Sequence, residues 1–240
     1  MAALRSGQRP RRPRGFLTTE HIIDTAFAVA AQVSIDRMSI PMVSRRLRVQ
    51  PTSIYWYFHT KDDLLDAMTE RALRHHMIAL PAPVIPAGRW RETLADHART
   101  IRRLFLANPV LCDLVLIRAP LSRRAVRMGA EHLERTVAGL VAAGLPIDHA
   151  VEICSAVNLH VRASVVLQRL SDKNERPDLG GPYAVACIDP ATTPLLAAAI
   201  DRGHDATATD EYGFEIGLRS ILRGQATCEE GRDPDSSESP

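Results

Sequence analysis

From Thr18 to Gly224 the apolar residues recur every three to four positions, and nowhere do they alternate over a run long enough to build a sheet. That period belongs to amphipathic helices. The spacing predicts helices over residues 18–33, 39–47, 51–58 and 60–77. After a break it predicts more over 90–107, 110–117, 122–143, 146–170, 193–201 and 210–224. The chain should be all-α, without an internal repeat. The proline-rich stretch "ALPAPVIPAG" interrupts the pattern and marks a domain boundary.

Four regions follow. Residues 1–15 are arginine, proline and glycine with little else, and should be a basic disordered arm. Residues 16–77 form an N-terminal helical domain and 78–225 a larger C-terminal one. Residues 226–240 read as an acidic disordered tail. Charge is unevenly shared. Residues 1–74 carry 12 Arg/Lys against 7 Asp/Glu, whereas the remainder carries 18 against 21. A basic third on a near-neutral body points to a polyanion as partner for that third. The longest apolar runs are short, so no bilayer span is expected. The basic N-terminus lacks an apolar core, so it does not read as a secretory signal. The four cysteines lie far apart, with no CxxC pair, so neither a disulfide framework nor a zinc site is expected. These features fit a cytoplasmic protein.

Within the basic third, "SIPMVSRRL", "RVQ" and "PTSIYWYF" read as helix, tight turn and helix. Ser39 stands at the cap of the first helix, and Pro41 is tolerated in its first turn. Arg48 and Gln50 occupy the turn. The second helix would enter a major groove by its N-terminal end. There Pro51 and the Thr52 methyl can pack on thymine methyls, and the Thr52 and Ser53 hydroxyls can reach bases or phosphates. Ile54 and Phe58, four apart, anchor the helix to the core. Tyr55 and Tyr57 present hydroxyls to phosphates. Trp56 can offer its indole N–H, although its main role is expected to be packing. Lys61 adds a cation at the start of the next helix, where Thr60 and Asp63 have capping-box spacing.

The segment from Leu17 to Met77 resembles the tetracycline repressor family of bacterial transcription regulators. The resemblance rests on "MSIPMVSRRLRVQPTSIYWYF" and "HTKDDLLDAM". Arg48 departs from the pattern, standing where the family usually has glycine. A side chain in a left-handed turn costs about 1 kcal/mol. The resemblance implies a three-helix DNA-binding domain, a homodimer on a palindromic double-stranded operator, and a C-terminal domain that binds a small-molecule effector. Repression relieved by that effector is the expected mode.

More weakly, residues 74–224 are similar to the C-terminal domain of tetracycline repressor itself, through "RHHMIALP", Trp90, "RAP", "TPLLAAAI" and "GFEIGLRSILRG". His76 and His97 match polar pocket positions, with Arg118 and Thr136 as further candidates and Ile101, Val115 and Pro120 beside them. In tetracycline repressor a histidine ligates the magnesium of the drug chelate. That position falls on Val115, and a carboxylate from the partner subunit falls near Leu167 or Gln168. None of these can take the role, because magnesium demands oxygen ligands. The expected effector is therefore not a metal–tetracycline chelate, and no metal or cofactor is expected.

The segments 146–170 and "YGFEIGLRSILRG" are apolar on more than one face, so each needs a second partner. In the resembled family these helices form a four-helix bundle with their copies. Two reading helices would then lie about 34–36 Å apart, one turn of DNA. Two other readings remain open. An architectural, nonspecific DNA binder would use the same arginines. A helical enzyme is disfavoured, because no HExxH, nucleophile elbow or glycine-rich phosphate loop is present.

Overall fold

The computed structural model describes residues 17–173, 188–204 and 210–223. The basic arm and the acidic tail lie outside the described residues, as does most of the loop after residue 173. Among the described residues there are ten α-helices and no strand. The chain divides into two compact units, Met1–Arg71 and Ala72–Pro240. That division falls inside a helix, earlier than the proline-rich stretch, because the side chains beyond Arg71 turn to a different core.

In the first unit, α1 (Thr19–Arg37) starts where Thr18 accepts a bond from the His21 amide through its hydroxyl. It kinks at Ser34, whose φ of 73° lies in the left-handed region. The regular helix therefore stops at Val33, and one turn follows. α2 (Ile40–Leu47) and α3 (Pro51–Tyr55) are joined by Arg48, at φ 57° and ψ 40°. The Arg48 amide bonds the Arg45 carbonyl, and the Val49 amide bonds that of Ser44. This is the Schellman closure of a helix end, made with an arginine in the position glycine usually holds. α3 is shorter than the expected 51–58. The amides of Tyr57 and Phe58 both turn back to the Ile54 carbonyl, which tightens the chain out of helical pitch. α4 (Lys61–Ala79) opens with the expected box: the Thr60 amide bonds Asp63 Oδ2 and the Asp63 amide bonds Thr60 Oγ1. Ile22, Ala26, Val43, Ile54, Leu64 and Met68 form the core of this unit. Arg71 binds Glu20 at 2.5 Å and Asp24 at 2.8 Å, fastening α4 to α1.

The second unit contains α5 (Trp90–Ala107), α6 (Pro109–Cys112), α7 (Arg123–Ala142), α8 (Ile147–Lys173), α9 (Pro194–Asp201) and α10 (Glu211–Arg223). The expected helix over 110–117 is not one regular helix. Four residues of α6 widen into a π-helical turn over Asp113–Arg118, then tighten into a 3₁₀ turn over Ala119–Leu121. The extra residue per turn buries Asp113, Leu114 and Val115 in succession, which no α-helical face permits. Asp113 there pairs with Arg169 of α8.

α8 is the spine. Ala150, Ile153, Val157, Val161 and Val165 are buried, and α5, α7 and α10 pack on the helix. By length and composition Ile147–Leu170 is apolar enough to cross a bilayer, contrary to the expectation that no segment reaches that threshold. The apolar content instead serves two faces. Its other stripe, Ile147, Val151, Leu159, Leu167 and Leu170, is exposed. α10 is fixed to α5 by Arg99, bidentate to Glu215 at 2.6 and 2.8 Å, and by Arg102, which pairs with Glu211 and lies over the Phe214 ring. Gly217 lets α10 close on α8. A Cβ there would sit 2.3 Å from His160, whose ring stacks on Phe214 and whose Nε2 meets the Phe214 carbonyl at 2.9 Å.

Candidate DNA interface and ligand cavity

The first candidate site is an exposed face of the first unit. Ile54 and Phe58 are buried, so the opposite side of the turn through residues 55–57 must face out. Trp56 is 86% exposed, which corrects the expectation that it mainly packs. Its position between two inward anchors leaves it nothing to pack on. Tyr55 is exposed as well. Tyr57 is half-exposed, but its hydroxyl donates to the Leu17 carbonyl at 2.6 Å. That donor ties α3 to the start of α1 and is not available to a phosphate. Lys61 donates one bond to the Asp36 carbonyl at 2.8 Å, and an ammonium has two more to give.

Pro41, Arg48, Gln50 and Thr52 are exposed, and Ser39, Pro51 and Ser53 are half-buried. Ser39 stands at the α2 cap but makes no capping bond, while Gln50 occupies the cap of α3. The structure thus sets the hydroxyls of Thr52 and Ser53 in the first turn of α3. Arg45 and Arg46, exposed on the last turn of α2, join the same stretch. Sequence reasoning passed over them, although "SRRLR" already held three arginines within four residues. Arg46 reaches Gln32 at 3.3 Å, and among the described residues no carboxylate pairs with it.

The second candidate site is a cavity of about 420 Å³ in the second unit. His76, His97, Ile101, Val115, Pro120 and Thr136 all line it. Arg118 does not. Val115, in the same π-helical turn, does line it, while the Nε of Arg118 is buried outside that lining. The wall also holds residues that the sequence did not single out: Phe105, His132, Asn158 and Arg162. They come from α5, α7 and α8, and no short motif links them.

His76 lies with its ring 5.0 Å from that of Phe105 and 6.4 Å from that of His132. Burial lowers the pKa of His76 to about 4, helped by repulsion from His132, His97 and Arg162. Burial does the same for His97, again to about 4, with His132 adding to it. His132 is lowered too, by burial and then by Arg135. All three imidazoles are therefore neutral at pH 7. Cys154 also lines the cavity, and burial raises its thiol to about 11, so it is a small apolar wall group rather than a nucleophile. Cys112 and Cys154 are buried thiols outside any disulfide. Among the described residues no cluster of three or more His, Cys, Asp or Glu has the form of a metal site. A largely apolar space with a few convergent polar groups is the usual form of a small-molecule site in a bundle.

Comparison with known proteins matches both units. Residues 22–68 fit the family of bacterial regulatory proteins called tetR. Residues 82–228 fit the tetracyclin repressor-like C-terminal domain. An HTH-type transcriptional repressor of Mycobacterium tuberculosis is 54% identical over 219 residues, covering 90% of this chain and 83% of the relative. The class A tetracycline repressor from transposon 1721 of Escherichia coli is 30% identical over 209 residues, covering 85% and 88%. Among solved structures, the Streptomyces coelicolor protein ActR in complex with actinorhodin is similar with a TM-score of 0.65 at 25% identity. That match covers 90% of this chain and 99% of ActR.

Proposed function

The chain belongs to the tetR family of bacterial regulatory proteins, and from that premise we propose that it is a homodimeric, effector-released repressor. It is a DNA-binding transcriptional regulator. The observation that carries the finer reading is the pairing of an outward polar-and-aromatic face in one unit with a largely apolar cavity in the other. The protein works in the cytoplasm, on double-stranded DNA, without catalytic chemistry of its own.

In this reading α3 enters the major groove by its first turn. Thr52 and Ser53 contact base edges, and Pro51 lies against thymine methyls. Tyr55, Trp56, Lys61 and the arginines Arg45, Arg46 and Arg48 hold phosphates and fix the register. Ser39, Pro41 and Gln50 border this contact. Tyr57 acts indirectly, by locking the turn that presents its two neighbours. Dimerisation uses the exposed stripe of α8 with Tyr212 and Ile216 of α10, which are also exposed. Apolar faces of this kind are stable only when covered. Two copies then read a palindrome.

The cavity receives the effector. It contacts His76 near the end of α4, whose first residue is Lys61. Effector binding shifts the dimer only as far as the effector prefers the DNA-incompetent form. The relative bound to actinorhodin is a family member with a ligand of that kind in its structure.

The test is binding of the purified protein to the intergenic DNA beside its own gene, against a random duplex, at two salt concentrations. A specific regulator should protect a palindrome and prefer it by roughly 10³ or more. Equal, steeply salt-dependent binding to both duplexes would reduce the protein to an architectural binder.

A further inference from the structure

The cavity wall has a one-sided chemistry. His76 comes from α4, His97 from α5, His132 from α7, and Asn158 and Arg162 from α8, yet among the described residues no aspartate or glutamate lines it. The Nδ1 atoms of His76 and His132 are buried and meet no hydrogen-bond partner. Leaving such an atom unsatisfied costs about 1–3 kcal/mol. Two of them border one space, together with the guanidinium of Arg162. That residue also reaches solvent, so the cavity opens beside it. Apart from the hydroxyls of Thr136 and Ser155, the rest of the wall is largely apolar, with Phe105, Ile101, Val115 and Leu133 around it.

We propose that the effector is an amphiphilic organic acid, an apolar ring system whose anionic group sits among His76, His132 and Arg162. The proposal rests on the reading of this cavity as the effector site. An anion there accepts hydrogen bonds from the imidazoles and from Arg162, while its rings lie on Phe105. A cationic ligand would meet Arg162 and, among the described residues, no carboxylate to offset it, and a metal chelate would find no carboxylate oxygen to hold its ion.

Proton linkage follows. The groups acting on these rings are the three histidines themselves, Arg162 of α8 and Arg135 of α7. All of them disfavour the imidazolium. A bound anion favours it, so the histidine pKa is higher in the complex than in the free protein. The complex then holds more protons, and affinity for the anion rises as pH falls from neutrality toward 4.

The experiment uses two fluorescent probes with the same ring system, 8-anilinonaphthalene-1-sulfonate and its uncharged analogue N-phenyl-1-naphthylamine. Both are titrated into the full chain at pH 7.5 and pH 5.5. The sulfonate stays ionised throughout, so any pH effect belongs to the protein. The expected result is tighter binding of the sulfonate by about tenfold, one charge-assisted hydrogen bond, with the gap widening at pH 5.5. His132→Phe keeps the ring volume and Arg162→Gln keeps most of the chain length. Each should weaken the sulfonate by a larger factor than the neutral probe. A Cβ at Gly129, which lines the cavity, meets nothing within 4 Å, so Gly129→Leu should fill the space and remove both probes. Circular dichroism melts establish that each variant is folded.

Equal or tighter binding of the neutral probe would overturn the acidic effector and leave the cavity as a ligand site. Failure of both probes to bind would overturn that reading as well. Sulfonate binding that survives Gly129→Leu would place it outside the cavity and overturn the proposal.

Discussion

The two units place their functional candidates in opposite ways. In the first, the candidates are exposed and the anchors beneath them are buried: Thr52, Tyr55 and Trp56 face out over Ile54 and Phe58. In the second, the polar candidates are drawn inward and the apolar stripes of α8 and α10 face out. A surface for a polyanion must keep its polar tips wet until they meet phosphate. A site for a small apolar molecule must exclude water first. The same chain therefore presents aromatic rings outward in one unit and sets one inward, Phe105, as cavity wall in the other.

If that contrast is real, damage to one unit should spare the other. The largest effect is expected from Ile54→Ala. Ile54 is fully buried, and truncating such a side chain costs about 2–5 kcal/mol. DNA binding should collapse while probe binding in the cavity persists, measured on the same sample by gel shift and fluorescence. Simultaneous loss of both would show that the units do not fold separately.

Next in size is Gly217→Ala. The new Cβ displaces His160 from its stack on Phe214, an overpacking cost of about 1–3 kcal/mol. Sedimentation should show weaker dimers. An unchanged dimer would remove the α8–α10 pair from the proposed interface.

Tyr55→Ala should weaken DNA binding by about tenfold on every sequence, the worth of one phosphate contact, without touching the dimer. Thr52→Ala, by contrast, should change which base is preferred near the operator's edge. Competition assays on single-base operator variants separate the two, and a uniform loss for Thr52→Ala would end its base-reading role.

The smallest effect belongs to Tyr57→Phe, which removes only the bond to the Leu17 carbonyl. Stability should fall by about 0.5–1.5 kcal/mol, seen in a urea midpoint. The salt dependence of DNA binding should stay the same, because that hydroxyl makes no phosphate contact. A flatter salt slope would return Tyr57 to the phosphate clamp.

The first unit was legible because its determinants are local. Thr18, the Thr60–Asp63 box and the Ile54–Phe58 spacing each act within four residues, so the chain states them directly. Trp56 was misread because three adjacent rings look like core until the two flanking anchors are seen to take the inner face. In the second unit the helices were legible and the cavity only partly so. His76 and His97 came into view through the resemblance, while His132, Asn158 and Arg162 did not. No local rule links residues on α4, α5, α7 and α8.

By itself the sequence determined the helical class, the helix starts and the left-handed turn at Arg48, because dihedral preference, capping and apolar period operate over a few residues. Only the tertiary structure decided which polar groups share a cavity, that Arg118 is not among them, and that Tyr57 holds Leu17. Those outcomes depend on packing between residues far apart in the chain, and packing is settled by the whole core at once.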